Sequence, residues 1–377
     1  MMRRRLARLG SGILAAGLAA SLIACSGGGS QQDGDGGAAQ SEEIELSAGW
    51  VSAIDQIGLP AALDQGFFED EGLDVAVAEP FASGVDQLNA LETDQIQFAQ
   101  VGAPLIGAVL KGADYVIVGN YTGSAAQLGI DETMAIVAKS DAGVSGDDLS
   151  SLRGKRLGVT VGSINHLYLL ALLEDNGMTP DDVEIVNTAA TDLAVALQTD
   201  GIDAAVIWDP WPMTIEQQVE GTETVLRGGG YIGFMGYIVA KRDFVEQNPD
   251  AVERFLRARA AADQWMRENP DDAAQTATRW LSGMDEGIAQ EAMAFNIKQL
   301  DGRISACNFQ ALSDAEDTLF ALGSIDGTFD VNEVFVPGPI NTIADESPEL
   351  FEDLAAVPDS ARITDGFVFD PAAGMCG

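Results

Sequence analysis

The sequence predicts an α/β protein of two lobes with a helical return, on three observations. Short β-rich runs alternate with amphipathic helical runs between residues 44 and 209, the pattern of βα units around mostly parallel sheets. About 330 residues follow the first 43, more than one hydrophobic core usually holds. After residue 242 the alternation stops and the chain reads as almost wholly helical.

The first series opens with a strand, IELSAGW (44–50), and a helix through Pro60 to Gln65 that Gly66 stops. A strand GLDVAVAE (72–79), a helix over 84–92, a strand QIQFAQV (95–101), a helix APLIGAVLKG (103–112) and a strand DYVIVGNY (114–121) continue it. Beyond the loop GVSGDDLSSLRG (143–154) a second series begins with the strand KRLGVTV (155–161) and a helix over 164–176 closed by Gly177. The strand DVEIVNT (182–188), a helix over 191–199 and the strand DAAVIWD (203–209) complete it. After the segment GYIGFMGYIVAKR (230–242), helical runs over 250–269, 270–283 and 285–300 form the return.

The first 24 residues read as a secretory leader: Arg3, Arg4, Arg5 and Arg8 precede an apolar run over 13–23 that is too short to span a bilayer. It ends in Leu22-Ile23-Ala24-Cys25, which places Cys25 where an exported lipoprotein carries its lipid. Residues 25–43, rich in Gly, Ser and Gln after that cysteine, read as a flexible tether. The expected address is therefore extracytoplasmic and lipid-anchored, in the periplasm or on the outer face of the cell membrane. Cys307 and Cys376 remain, and either a bridge that ties down the C-terminus or two free thiols fits the sequence.

With 59 acidic against 20 basic residues and a formal net charge of −39, nucleic acid and anionic membrane surfaces are poor partners. The acids are scattered rather than gathered into a tract, which suits a solvated surface better than a cation store. No G-x-S-x-G, H-E-x-x-H, C-x-x-C or GxxxxGK[ST] motif occurs, and neither a cofactor nor a metal site is expected.

In open α/β sheets ligands settle beyond the carboxyl ends of strands. The sharpest such joint is Gly162-Ser163-Ile164-Asn165-His166, where Gly162 permits close approach and the first turn of the next helix offers free N–H groups to an anion. The alternative is that Ser163 only caps its helix. His166, the one histidine of the chain, reads as a neutral hydrogen-bond donor rather than a base. Trp208-Asp209-Pro210-Trp211 follows another strand, where the tryptophans could wall a cleft and Asp209 accept from a ligand amine, or the group could simply pack. Trp50 and Ser52, Gly102 and Ala103, and Tyr121 would supply the facing lobe.

The run LRGKRLGVTVGSINHLYLLALLEDNGMTPDDVEIVNTAATDLAVALQTDGIDAAVIWDPW resembles the second lobe of ABC-transporter solute-binding proteins for nitrate, sulfonates and taurine, a group that includes proteins similar to thiamine-pyrimidine synthases. GLPAALDQGFFEDEGLDV and KRDFVEQNPDAVERFLRARAAADQWMRENPDDAA look like that family's first helix with second strand and its return helices. The resemblance implies a two-lobed type II periplasmic-binding-protein fold with a two-strand hinge. Lobe one would comprise 44–140 plus 233–377, and lobe two 141–232. It also implies a small-molecule solute, an ABC permease and its ATPase as partners, a monomer, no catalysis, and ligand contacts at Trp50, Ser52, Gly102, Ala103, Gly162, Ser163, His166, Trp208 and Asp209. Asn165, Tyr121 and Trp211 join these as neighbours in the same joints. The acidic excess, the tail after Leu300 and Trp211 depart from the family pattern.

Among solutes, a carboxylate facing helix N-termini favours taurine or an alkyl sulfonate, ahead of a pyrimidine-like heterocycle and then nitrate or bicarbonate. The alternative classes are a solute-sensing domain and an exported enzyme.

Overall fold

The computed structural model describes residues 44–233 and 236–376, so the leader, Cys25 and the tether lie outside the described residues. Strand β1 (Ile44–Gly49) passes through a 3₁₀ turn (Ile54–Gln56) into α1 (Gly58–Asp64) and α2 (Phe67–Asp70). Then come β2 (Leu73–Val77), α3 (Gly84–Glu92), β3 (Phe98–Val101), α4 (Pro104–Leu110) and β4 (Tyr115–Thr122). The second series is β5 (Met134–Lys139), β6 (Arg156–Val159), α5 (Ile164–Asp175), β7 (Glu184–Asn187), α6 (Leu193–Gln198), β8 (Ala204–Trp208), α7 (Trp211–Gln218) and β9 (Thr222–Arg227). Strand β10 (Gly236–Lys241) precedes α8 (Arg242–Gln247), α9 (Pro249–Glu268), α10 (Pro270–Trp280), α11 (Glu286–Asn296), α12 (Ala306–Ala321) and α13 (Gly338–Glu346).

These strands form two sheets of five, ordered β2-β1-β3-β10-β4 and β7-β6-β8-β5-β9. Each is parallel except for one inserted strand: β10 runs antiparallel to β3 and β4, and β5 antiparallel to β8 and β9. The two inserted strands are the ones the chain enters immediately after crossing from the other sheet, so each crossing is locked into the lobe it reaches. Residues 123–133 and 228–233 lie on the crossings. The lobe boundary expected at residue 141 therefore falls one strand late, because β5 already pairs in the second sheet. Its sequence MAIVAK shows no alternation, being buried on both faces, and it was not legible as a strand.

The crossings are pinned together by one side chain. Asp131, buried on the first, accepts from the N–H groups of Gly230 (2.9 Å), Tyr231 (2.8 Å) and Ile232 (3.3 Å) on the second. Burial raises its pKa, and those three donors oppose the rise. Gly228, Gly229 and Gly230 all hold positive φ, a run that side-chain-bearing residues adopt only with strain.

Helix α5, INHLYLLALLED, is apolar on nearly every face and so needs cover on two sides. Strand β8 lies on one side and α12, from beyond the expected return, on the other. The start of α12 is wired to the first crossing, where Ser305 Oγ donates to Ala125 O (2.7 Å) and Asn308 Nδ2 to Ser124 O (3.2 Å). Cys307 in its first turn is disulfide-bonded to Cys376, which fastens the chain end to the same helix. In lobe one, Phe98 of β3 stacks on Phe255 of α9 with ring centroids 3.8 Å apart, joining sheet to helix layer. No helix among the described residues is long and apolar enough to cross a membrane.

Replacing Asp131 by Ala takes the acceptor from the N–H groups of Gly230, Tyr231 and Ile232, of which that of Ile232 is buried. Urea denaturation of Asp131→Ala is expected to show about 3 kcal/mol less stability than the parent, with Asp131→Asn in between.

Candidate ligand-binding cleft

The carboxyl ends of the parallel strands meet at one cleft between the sheets. Its wall from lobe one is Asp55 and Gln56 beyond β1, Gln100, Gly102 and Pro104 at the end of β3, and Tyr121 near the end of β4. From lobe two come Ser163 and Ile164 beyond β6, and Trp208 closing β8.

Asp55 and Gln100 are buried, and Asp55 Oδ1, Gln100 Oε1 and Trp208 Nε1 have no hydrogen-bond partner among the described residues. Burial pushes the Asp55 carboxyl up to about 7, with its own backbone N–H pulling the other way and the charge of Asp209 adding to the rise. Gln56 is fixed by accepting from Val51 N–H (2.7 Å) and donating to Gln100 O (3.1 Å). Burial and the nearby Asp55 hold the Tyr121 phenol well above its usual range, so it stays protonated as a donor. Among the described residues, no Arg or Lys lines this inner space.

Opposite the acid stands the first turn of α5. Ser163 does not cap it: Ser163 Oγ donates to Thr160 O (2.6 Å), and the N–H groups of Ile164 and Asn165 have no acceptor among the described residues. A twelve-residue helix thus aims its open positive end into the cleft. His166 Nδ1 accepts from Gly162 N–H (3.3 Å), and burial lowers its pKa, leaving a neutral ring. With Ser163 Oγ committed to Thr160 and His166 Nδ1 to Gly162, the two form no nucleophile and base pair.

Of the residues expected to contact ligand, Gly102, Tyr121, Ser163 and Trp208 come together in the inner cleft. Ala103, Gly162 and His166 stand at its mouth, with Ser163 shared. Others are elsewhere. Trp50 is fully buried in the lobe-one core, its Nε1 donating to Ala78 O (2.8 Å) and its ring edge-on to Trp280. Ser52 is exposed beside the cleft, and Asn165 is buried with Nδ2 on Val206 O (2.6 Å). Trp211 packs on the apolar cluster behind sheet two. Asp209 is the main correction: it is fully buried, and Arg227 Nη1 lies 2.9 and 2.8 Å from its two oxygens, so it is not presented to a ligand amine. Arg227 also sits 4.3 Å over the ring of Phe295 on α11, joining β9 to the return helices. The acid that does face the cleft, Asp55, escaped sequence reading, although an acid inside the apolar run VSAIDQIGL was a usable signal.

Residues 53–273 match the family model described as NMT1/THI5 like. The chain belongs to the NMT1/THI5-like family. A Bacillus subtilis (strain 168) protein named for the binding of aliphatic sulfonates is 28% identical to this NMT1/THI5-like chain over 279 residues, 72% of this chain and 80% of its own length. The taurine-binding periplasmic protein of Escherichia coli (strain K12) is 28% identical over 238 residues, 62% of this chain and 69% of its own. The alkanesulfonate-binding protein SsuA from Xanthomonas axonopodis pv. citri, solved with MOPS bound, superposes with a TM-score of 0.68 at 20% identity, covering 78% of this chain and 99% of that one. The fold is thus the two-lobed periplasmic-binding-protein kind. An enzyme is also similar: the 4-amino-5-hydroxymethyl-2-methylpyrimidine phosphate synthase of Candida albicans (strain WO-1), 26% identical over 250 residues, 61% of this chain and 69% of its own.

Arg227→Met in this NMT1/THI5-like chain strands the buried Asp209 carboxylate. A loss of about 3–5 kcal/mol is expected by denaturant titration, larger at pH 8 than at pH 5 because only the ionised acid needs the partner. Adding Asp209→Asn should recover part of it.

Proposed function

We propose that this protein is an extracytoplasmic solute-binding protein of an ABC importer that captures a small zwitterionic sulfonate of the taurine type and performs no chemistry on it. One observation carries the reading: a buried acceptor without a partner, Asp55 Oδ1, faces the same cleft as the open N-terminus of α5. The sulfonate takes the N–H groups of Ile164 and Asn165 together with Trp208 Nε1. The ammonium takes Asp55 Oδ1 and Gln100 Oε1. Nitrate or a plain alkyl sulfonate would leave the acid unanswered, and with Trp50 and Trp211 turned away, Trp208 is the one tryptophan of the three that lines the cleft, beside Tyr121.

The global charge supports the same choice. A formal net charge of −39 repels an anion that comes within the screening distance of roughly 8–10 Å of the surface, whereas a ligand of zero net charge meets no such barrier. Capture proceeds by hinge closure about the two crossings, since only a ligand that bridges both lobes prefers the closed form. Cys25 carries the lipid that keeps the protein beside its permease, and it works as a monomer.

The pH dependence follows from Asp55. Between the ordinary carboxyl value and about 7 the folded chain holds a proton that the unfolded chain releases, so burial of Asp55 costs stability as pH rises. A bound ammonium needs the ionised form. Isothermal titration should therefore show taurine affinity rising from pH 6 to pH 8, with ethanesulfonate nearly flat. Asp55→Asn is expected to weaken taurine by about ten- to a hundredfold, abolish its pH slope and spare ethanesulfonate. Equal losses for both ligands would remove Asp55 from its role.

A further inference from the structure

Three buried glutamines, Gln56, Gln87 and Gln100, stand on the acid side of the cleft, and backbone groups dictate the sense of each amide. Strand β1 pairs with β3 through Ala48 with Phe98 and Gly49 with Ala99, and then turns to bridge Val51 with Phe81. One residue further along β3, beyond that pairing, the side chain of Gln87 on α3 bonds to Gln100 as a strand would. Gln87 Oε1 accepts from Gln100 N–H (2.9 Å), and Gln87 Nε2 donates to Gln100 O (2.7 Å). Gly49 leaves the room for this, since a Cβ there would stand 3.2 Å from Gln87 Oε1. Gln56 then turns the Gln100 side chain. A carbonyl oxygen only accepts, so the Gln100 atom 3.3 Å from Gln56 O is Nε2, and Oε1 is left over. Among the described residues that line the inner cleft, Gln100 Oε1 and Asp55 Oδ1 are the two buried side-chain acceptors without a partner.

Resting on the zwitterionic reading of the cleft, we infer that the site selects among amines by counting N–H groups, with Gln100 as the specificity-determining residue and Gln87 as the residue that positions it. A primary ammonium carries three N–H groups and satisfies both acceptors. A single N-methyl leaves two, still enough. N,N-dimethylation leaves one, so one buried acceptor goes unpaired, and N,N,N-trimethylation leaves none. Each acceptor without a donor weakens binding roughly five- to a hundredfold. The Gln100 amide does not turn over to relieve this, because its oxygen would then face the carbonyl oxygen of Gln56.

Isothermal titration at pH 8 with taurine and its N-methyl, N,N-dimethyl and N,N,N-trimethyl derivatives tests this, with ethanesulfonate as the control ligand. The expected result is a small loss at the first methyl and a drop of roughly five- to a hundredfold at the second. Gln100→Met, which keeps the length of the side chain without its amide, should shrink the preference for taurine over the dimethyl form by roughly fivefold or more, with ethanesulfonate affinity within about twofold of the parent. Gln87→Met should shrink it in the same direction and likewise spare ethanesulfonate. Equal binding of taurine and the dimethyl form by the parent overturns the counting and leaves the taurine-type reading standing. A preference that survives Gln100→Met reports methyl bulk instead of hydrogen bonds and also overturns it. Parallel loss of taurine and ethanesulfonate in Gln87→Met, or an unchanged preference there, overturns the positioning role of Gln87. Failure of taurine and ethanesulfonate alike to bind the parent overturns the headgroup reading beneath it.

Discussion

A carboxylate oxygen buried without a protein partner is the constraint on which the site depends. Leaving such a group unpaired costs about 1–3 kcal/mol, and Asp55 Oδ1, Gln100 Oε1 and Trp208 Nε1 are three unpaired atoms around one small space. The protein relieves this in part by holding the Asp55 proton up to about 7. A ligand that supplies donor and acceptor together relieves all of it at once. In that account affinity comes from completing a polar set already held rigid, with Gln56 tied to Val51 and Gln100 behind it.

The fold provides the rigidity on each side and the freedom between. Because the chain enters each sheet through an inserted antiparallel strand, β5 or β10, each lobe is closed by hydrogen bonds independent of the crossings. Between the lobes, Asp131 on the first crossing is bonded to the glycine run of the second. Helix α12 begins against the first crossing and ends beside the cleft mouth.

Much of this was legible in the sequence where local pattern decides structure. The runs over 44–121 and 155–209 alternate clearly and fold as the strands and helices they predict, and the joint at Gly162 and Ser163 is where the pattern put it. What local pattern could not carry is partnership across distance. Asp209 and Asp55 both follow strand ends, and the choice between them is made by Arg227, 18 residues after Asp209, which claims the one and leaves the other. The same limit hid β5, buried between two neighbours, and the role of α12, which follows from the need of α5 for cover on its second side. Trp50 looked like a cleft wall because its position after β1 is right, yet its ring turns inward to Trp280.

A crystal structure of the taurine complex tests the central claim most directly. The account predicts the ammonium nitrogen within about 3 Å of Asp55 Oδ1 and the sulfonate oxygens on the N–H groups of Ile164 and Asn165. A taurine bound in the reverse sense, with its ammonium away from Asp55, or a cleft that stays without taurine while the crystals are saturated with it, would contradict the account.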